Sequence, residues 1–391
     1  MFIRLINKRL FLWTCIVLLA FVLILTLASR YVDAVNGKLP ACDVYRTGYP
    51  GQIGFDELQG AASSVDGLTV SGEATFAGYA QTANQAVFAP ADVVLTDGNF
   101  SAFGSFEMLS GSFFGAADLP SADPNVAVIS DQIASELFMS ADVTGRQVLI
   151  NGTPFTVCGV YKSDDSLTAR LASDGAQRIY VPYNSSLGGN GSGVDYIYVK
   201  DSKNAGYLDG ALLSDLNAKL SGKLQACALS SYYEDKTMLA QMKSLLFFVP
   251  GAVLIILLAV FIIEFLSAIY TKYRNRTHDN MPSRSFVLPR ALAAAGCLIA
   301  AAVVLKLIMF NFYIPAFIPS DKIFDPVFYF NFVIGQVQSI NAGGTYPAAF
   351  NMYRIAFCGM GAALAVAAGM AVCLAVMVRK VYSQIKCAEG N

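Results

Sequence analysis

The sequence predicts an integral membrane protein in which four transmembrane α-helices carry one large α+β domain on the non-cytoplasmic side. Two observations lead to this fold class. The composition is 55% hydrophobic and only 14% charged, whereas soluble domains average about 25% charged residues. The apolar residues are also concentrated in four runs with very few charges, and a long polar segment separates the first run from the second.

Each apolar run is long enough to cross a bilayer. A helix rises about 1.5 Å per residue, so about 20 residues cross a hydrocarbon core of about 30 Å. We predict four spans, over 10–28, 244–270, 291–313 and 355–378. A cleaved signal peptide is the alternative for the first run, although this run exceeds the roughly 7–15 apolar residues of a signal peptide and favours an uncleaved helix.

Lysine and arginine near the helix ends predict the orientation, because cytoplasmic loops carry an excess of these residues. Basic residues precede the first span, follow the fourth and cluster between the second and third. The N-terminus within 1–30, the loop 271–290 and the tail 379–391 are therefore expected in the cytoplasm. The segment 31–243 and the short loop 314–354 are expected outside.

The outer segment 31–243 is expected to fold as an α+β domain. It contains 23 acidic and 12 basic residues, a net charge of −11, which speaks against nucleic acid as a partner. A helix is predicted over 55–65, and alternating strand-like residues follow over 68–95. The domain is expected to close with a strand, a helix and a strand, over 194–200, 203–221 and 223–230.

The middle of the domain has the clearest local signals. The apolar run 126–130 predicts a strand, and a helix is predicted over 132–139 with Asp131 as its N-cap. Asn151-Gly152 divides two β-rich runs, which is a strong signal for a β-hairpin.

Three stretches of this domain resemble a known family: ADVVLTDGNFSAFGSFEMLSGSFF, NVAVISDQIASELF and DVTGRQVLINGTPFTVCGVYK. They are similar to the extracytoplasmic domain of MacB/FtsX-type ABC transporter permeases, in which one helix, an outer domain and three helices follow in the same order. The resemblance covers residues 40–235 and is most specific from Asn125 to Lys162. It implies a porter-like α/β part and an inserted β-rich part near 96–182.

The resemblance also implies a function and partners. By this resemblance the chain is expected to be a permease-type subunit of an ABC transporter or mechanotransmission complex. Such a subunit couples a separate ABC-type ATPase to conformational change of the outer domain. The subunit is expected to form a homo- or heterodimer in the lipid bilayer of the cell membrane, by resemblance the bacterial plasma membrane. The sequence contains no GxxxxGK[ST] loop, so we expect ATP hydrolysis on a partner and do not predict an enzyme.

The loop 271–290 is the segment expected to face the ATPase. Family members carry an amphipathic REIGILRALG-type stretch here, whereas this chain has TKYRNRTHDNMPSRSFVLPR. Pro282 and Pro289 speak against a long helix across 280–290. A non-transporting membrane scaffold or accessory subunit that displays a MacB-like domain is therefore the alternative function. The basic candidates in this loop are Lys272, Arg274, Arg276, Arg284 and Arg290.

Two charged residues lie inside predicted spans, where ionisable groups are functional candidates. Glu264 is near the inner end of the second span, and Lys306 is near the outer end of the third. Consecutive spans run in opposite directions, so the two side chains are expected at different depths and not as a pair. Snorkelling to opposite interfaces is the simpler interpretation, and lining a translocation path is the functional one.

Small residues crowd the fourth span. Gly359/Ala363 and Ala365/Gly369 have the small-xxx-small spacing that permits close helix approach. Packing within one subunit and a seam between two subunits both remain open.

The cysteines and the single histidine, His278, provide little support for a catalytic or metal site. His278 lies in the basic loop, so no catalytic or metal set containing histidine can form on the outer face. No cofactor is predicted. Cys42 and Cys227 flank the outer domain on the side where thiols oxidise, and a disulfide between them is a hypothesis.

Overall fold

The computed structural model describes residues 8–389 apart from short gaps, and the chain divides into two compact units. The helical unit comprises Met1–Ala34, Met238–Phe324 and Ala356–Asn391, and the sheet unit comprises Val35–Thr237 and Asp325–Ile355. The gaps are 39, 50, 105, 116–124, 173–174, 189–192, 204–207, 275–283, 310–318, 320, 323–324 and 342–347.

The α-helices of the described residues differ widely in length, from six residues to 43. They are α1 (Lys8–Lys38), α2 (Phe55–Ser63), α3 (Asp131–Phe138), α4 (Leu167–Ala172), α5 (Gly210–Lys219), α6 (Tyr232–Arg274), α7 (Arg284–Ile308), α8 (Pro326–Asn341) and α9 (Ala348–Glu389).

The sheet unit is built on one ten-stranded mixed sheet in the order β10-β1-β9-β2-β3-β8-β5-β7-β4, with β6 pairing with β2 and β7. Two pairs are parallel, β3 with β8 and β5 with β7. The strands are β1 (Asp43–Arg46), β2 (Leu68–Thr82), β3 (Phe88–Thr96), β4 (Met108–Gly111), β5 (Val126–Ser130), β6 (Gln147–Ile150), β7 (Thr153–Tyr161), β8 (Arg178–Pro182), β9 (Tyr196–Asp201) and β10 (Ala228–Ser231).

One face of this sheet carries the main hydrophobic core. Side chains alternate along each strand, so Val93 and Leu95 of β3 and Ile179 and Val181 of β8 face the same side. Helices α2 and α3 pack on that side, and Phe55 of α2 is almost fully buried. Burying a side chain of this kind contributes about 1.5–3 kcal/mol.

The strand β2 joins the two halves of the sheet. Its first residues pair with β9, its middle pairs with β3, and its last residues pair with β6. The part expected as an insertion, near 96–182, supplies β4 to β8 of this same sheet. The predicted α+β fold class is therefore confirmed, and its two parts share one continuous sheet.

The local predictions in the middle of the domain agree with the structure except for one cap. The hairpin β6–β7 turns at Asn151 and Gly152, whose φ angles of 47° and 80° are both positive, as this two-residue turn requires. The helix α3 starts one residue earlier than predicted. Its N-cap is Ser130, whose Oγ accepts the Ile133 N–H at 3.2 Å, so the prediction of Asp131 as the cap was wrong. The Asp131 Oδ1 instead accepts the Ser163 N–H at 2.9 Å.

Among the described residues, four helices are long and apolar enough to cross a membrane, over Cys15–Lys38, Tyr232–Thr271, Val287–Lys306 and Met352–Lys380. In the most apolar stretch of each, no more than 11% of the residues are buried. Apolar surface left open on this scale requires lipid or a partner to cover it. The protein is therefore a multi-pass membrane protein.

An ion pair lies at the polar end of the first two of these helices. The Lys243 Nζ of α6 is 2.6 Å from the Asp33 Oδ1 of α1. The apolar run of α1 precedes Asp33, whereas that of α6 follows Lys243. The pair therefore joins α1 to α6 where both apolar runs stop, and an exposed pair of this kind is worth about 0–1 kcal/mol.

Two helices extend into segments that the sequence predicts as loops. The helix α7 begins at Arg284, before the predicted start of the third span at 291, and contains Pro289. Residues 280–283 lie outside the described residues, so the prediction against a long helix across 280–290 stays a prediction. The loop predicted over 314–354 contains α8, which is 16 residues long.

Close packing of α6 on α7 depends on Gly251. A Cβ atom at this position would lie 2.5 Å from the Ile308 Cγ2. We expect Gly251→Ala to destabilise the helical unit by about 1–3 kcal/mol, because the two helices must move apart. The unfolding transition of the full chain in nanodiscs measures this.

Gly296→Ala on α7 is the matched control, since nothing lies within 4 Å of its added Cβ. The control is expected to be neutral or slightly stabilising, because alanine is the better helix former. Equal unfolding transitions for the two variants would contradict the assigned contact.

Candidate functional site

The basic residues expected to face an ATPase lie at the ends of two helices. Lys272 and Arg274 are in the last turn of α6, and Arg284 and Arg290 are in the first turns of α7. Arg274 is exposed. Arg276 lies outside the described residues. Their role toward an ATPase stays a prediction.

The two intramembrane charges are far apart along the helices. Ile308 of α7 contacts α6 at Gly251, so Lys306 lies near that level, whereas Glu264 is about 20 Å farther along α6. Lys306 is exposed. The Glu264 Oε2 is shielded from solvent and has no hydrogen-bond partner among the described residues.

The small residues of the fourth span lie on open surfaces of α9. Gly359, Ala365 and Gly369 are exposed, and Ala363 is half-buried. No atom lies within 4 Å of a Cβ added at Gly359 or Gly369. The buried positions of α9 in the helical unit are others, namely Ala356, Met360, Ala367 and Ala371.

Cys42 and Cys227 do not form the hypothesised disulfide. Both are free thiols, and they lie at opposite ends of the antiparallel pair of β1 and β10. The Tyr232 N–H donates to the Cys42 carbonyl at 3.0 Å, and Tyr232 is five residues beyond Cys227. At about 3.3 Å per residue the two cysteines are roughly 16 Å apart, far beyond the limit of about 7 Å between Cα atoms.

Three helices and the sheet meet in a compact group within the sheet unit, here called the junction cluster: Cys42, Tyr232, Asp235, Tyr353 and Arg354. The Tyr232 and Tyr353 rings are 5.4 Å apart, and both side chains are buried. The Tyr353 Oη donates to the Pro40 carbonyl at 3.3 Å. Asp235 and Arg354 lie within electrostatic range of each other. The end of α1 and the starts of α6 and α9 are thereby tied together.

The sequence offered a partial signal for the junction cluster. The adjacent acids Glu234 and Asp235 suggest a solvated polar loop, but the structure places both in the first turn of α6. There Asp235 is half-buried opposite a residue from the start of α9. Contacts between residues this distant along the chain leave no pattern in a single sequence.

The second face of the sheet carries a layer of aromatic rings around a carboxylate. The Tyr198 Oη donates to the Glu73 Oε2 at 2.5 Å, and the Thr75 Oγ1 donates to the Glu73 Oε1 at 3.2 Å. Burial raises the pKa of Glu73, although the hydrogen bond from Tyr198 and the charge of Arg178 oppose this. Neighbouring rings have centroids 4.6–6.3 Å apart and belong to Phe100, Phe103, Phe106, Phe113, Phe114, Tyr161, Tyr180 and Tyr198.

The raised pKa of Glu73 predicts a pH dependence of stability. Between the unfolded value near 4.5 and the higher folded value, the folded protein binds more protons than the unfolded one, so stability falls as the pH rises. We expect Glu73→Gln to reduce this loss, because glutamine keeps an acceptor for Tyr198 and does not ionise. Unfolding of the full chain at several pH values between 4.5 and 8 measures it. A pH profile identical to that of the parent chain would show that Glu73 does not titrate in this window.

A cavity of about 420 Å³ adjoins the junction cluster in the sheet unit. Pro40, Lys200, Lys203 and Tyr233 are among its lining residues. The Lys200 Nζ already donates to the Ala102 carbonyl at 2.7 Å. Within the part of the chain that the structure describes, no group of three or more His, Cys, Asp or Glu residues is placed to hold a metal ion.

These features define a class: a multi-pass membrane protein whose extramembrane α/β domain is tied to the starts and ends of its spanning helices. Comparison with known sequences identifies the domain. Residues 17–207, slightly less than half of the chain, match the family model of the MacB-like periplasmic core domain. In this region the chain is similar to the MacB/FtsX-type ABC transporter permeases.

Individual relatives match over shorter stretches. The pyoverdine export ATP-binding/permease protein PvdT of Pseudomonas syringae is 35% identical over 91 residues, which are 23% of this chain and 13% of that protein. The macrolide export ATP-binding/permease protein MacB of Nitrobacter winogradskyi is 40% identical over 73 residues, 18% of this chain and 11% of that protein. The chain thus matches only a small part of the length of these relatives.

A solved structure is also similar. The periplasmic region of MacB from Actinobacillus actinomycetemcomitans aligns with a TM-score of 0.40 at 15% identity, over 54% of this chain and 96% of that one.

Proposed function

We propose that this chain is the permease-type subunit of an ABC transporter or mechanotransmission complex. In this proposal a separate ABC-type ATPase drives conformational change of the outer domain. The match to the MacB-like periplasmic core domain and the four apolar helices support it. The relatives named above combine ATP-binding and permease parts in their names, whereas this sequence contains no Walker-type loop.

The observation that carries the proposal is the continuity of α6. This single helix begins at Tyr232, directly after β10, and ends at Arg274 in the basic loop. Its first six residues belong to the sheet unit and the rest to the helical unit. A continuous helix is one kind of element through which conformational coupling travels. A displacement at the basic end of α6 therefore has a direct covalent path to the edge strand of the sheet.

The proposed complex lies in the cell membrane with both termini and the loop 271–290 in the cytoplasm. The distribution of lysine and arginine supports this orientation. A second permease subunit, as homo- or heterodimer, would cover open helix surface. The exposed Ala365 and Gly369 on α9 permit the close approach that such a seam requires.

The alternative is a scaffold or accessory subunit that displays the outer domain without transport. The loop 271–290 favours it, since it lacks the amphipathic stretch expected at the ATPase contact. The two functions differ in whether an ATPase binds this loop.

We expect the triple variant Lys272→Gln, Arg274→Gln, Arg276→Gln to lose a co-purifying ABC-type ATPase. The three substitutions remove positive charge from the end of α6 and the following loop, where the ATPase is proposed to bind. The ATPase retained per permease, quantified by mass spectrometry after purification in detergent, should fall at least about tenfold, which is about 1.4 kcal/mol of binding free energy.

The matched control neutralises three basic residues of the tail, Arg379, Lys380 and Lys386. It changes the net charge equally and should leave the ATPase bound. A parent chain that purifies without any ABC-type ATPase, or equal retention in the two triple variants, would favour the scaffold.

A further inference from the structure

The connection between the third and fourth spanning helices contains an apolar helix that is too short to cross a bilayer. This helix is α8, which lies between the candidate spans Val287–Lys306 and Met352–Lys380. Its 16 residues extend over about 24 Å at 1.5 Å per residue, whereas a hydrocarbon core is about 30 Å thick. A role for α8 must therefore be found other than spanning the membrane.

The composition of α8 is that of a helix buried in a core or a membrane. Its sequence, PVFYFNFVIGQVQSIN, contains no charged residue, and Asn331 is the only strongly polar residue among the first ten. A helix that is apolar on all sides is buried in a protein core or in lipid. An apolar stretch of about 10–14 residues is typical of a core helix or of a segment that enters the bilayer without crossing it.

The exposure of α8 excludes a place in a core formed by the described residues. Phe330 is 67% exposed, Val327 61% and Ile334 38%, and their spacing places them on one face of the helix. Tyr329 and Asn331 are exposed as well. At 3.6 residues per turn, the exposed positions extend around more than half of the helix. Apolar surface of this extent requires a cover that the described part of the chain does not supply.

Polar groups mark both ends of α8. The Asp325 Oδ1 accepts the Val327 N–H at 2.9 Å and so caps the first turn. The charged residues Asp321 and Lys322 precede this cap, and the last six residues, 336–341, are mostly amides and a serine. Polar ends around an apolar middle are expected of a helix whose ends lie at the level of the lipid headgroups while its middle enters the hydrocarbon.

Lipid accounts for the surface of α8 better than a protein partner does. A protein groove covers one face of a helix, whereas the exposed positions of α8 extend around more than half of it. Aromatic side chains are favoured at the membrane interface, and α8 carries four of them within 328–332. The next helix, α9, begins at Ala348 and enters its candidate span at Met352, so a lipid-covered surface follows α8 along the chain.

We propose that α8 is a membrane helix that enters one leaflet without crossing the bilayer, and that phospholipid covers Val327, Phe330 and Ile334. The acyl chains contact this apolar face, and the polar ends of the helix lie among the headgroups. Because α8 belongs to the sheet unit, this unit has a lipid contact of its own. The proposal does not depend on an ATPase partner.

The test is quenching of tryptophan fluorescence by brominated lipid. The chain has a single tryptophan, Trp13, so Trp13→Phe provides a background to which Phe330→Trp is added. The full chain is reconstituted in vesicles of phosphatidylcholine, either unbrominated or brominated near the ester end or the methyl end of one acyl chain. We expect stronger quenching by bromine near the ester end, because an interfacial helix is buried only about 5–10 Å deep.

Two reference variants in the same background define the scale. Ile256→Trp lies at an exposed position in the apolar run of α6, and Tyr49→Trp lies at an exposed position of the sheet unit. The quenched fraction for Phe330→Trp should exceed that for Tyr49→Trp at least about threefold, and Ile256→Trp should be quenched more by bromine near the methyl end. An unchanged thermal transition confirms that each variant folds.

Three results would overturn the proposal. Quenching of Phe330→Trp no stronger than that of Tyr49→Trp, with emission typical of water, would place α8 in solvent. Blue-shifted emission without quenching would mean that a protein, such as a second copy of the chain, covers this face. Stronger quenching by bromine near the methyl end would place Phe330 at the centre of the bilayer, deeper than a helix within one leaflet reaches.

Discussion

Replacing Ala240, Gln241 and Met242 of α6 with glycine is expected to uncouple the outer domain from the ATPase that is proposed as its partner. These residues lie between the junction cluster and the apolar run 244–263. Each glycine costs a helix about 1 kcal/mol relative to alanine, so this segment becomes a flexible link. We expect the ATP-dependent change in hydrogen exchange of β10 and β1 to fall at least about tenfold, while the co-purifying ATPase stays bound to the loop.

The control places alanine at the same positions, Gln241→Ala and Met242→Ala. It truncates the same side chains but keeps the helix, so coupling should be retained. If the glycine variant transmits the ATP-dependent change as the parent does, α6 is not the connection. If both variants fail, the side chains and not the helix carry the effect.

Replacing Asp97 with alanine is expected to destabilise the sheet unit by about 3 kcal/mol, among the largest effects of a single substitution. Asp97 is 1% exposed. Its Oδ2 accepts the Gly72 N–H at 3.0 Å and the Gln59 Nε2 at 2.6 Å, and its Oδ1 accepts the Asn99 N–H at 2.8 Å. Alanine leaves these three donors without their acceptor and releases α2 from β2. Hydrogen exchange of the sheet amides in the full chain measures the loss.

Asp142→Ala is the matched control, since Asp142 is exposed and surface substitutions usually stay within about 0.5 kcal/mol. Burial raises the pKa of Asp97, although the hydrogen bonds to the carboxylate oppose this. Burying the carboxylate therefore costs free energy. Asp97→Ala removes this cost, so the variant loses less stability than the three lost hydrogen bonds alone would suggest, but it still loses stability. Equal stability of the two variants would show that Asp97 does not hold α2 and β2 together.

Much of the fold could be predicted because its signals are local. Runs of apolar residues revealed the four spanning helices, and alternation revealed β2 and β3. Asn151-Gly152 revealed the hairpin, because few residue pairs adopt two positive φ angles. The start of the third span was predicted less well, since α7 begins at Arg284 and contains Pro289, whereas the apolar run alone places the start at 291.

The predictions of functional sites agree with the structure less well than the predictions of the fold, because the sites depend on contacts between distant residues. The disulfide between Cys42 and Cys227 rested on their positions along the chain, but the register of β1 against β10 separates them. The junction cluster went unpredicted, since it joins residues that are distant in sequence.

The sequence by itself determined that this is a membrane protein, how many helices can cross the membrane and which family the outer domain resembles. Those properties follow from hydrophobicity and local conformational preference, which each segment carries alone. Only the tertiary structure decided that the two parts of the outer domain share one sheet, that α6 runs unbroken from β10 to the basic loop, and that the junction cluster brings three helices together. Those outcomes depend on strand register and side-chain packing between distant segments, whose energies exist only once the chain has folded.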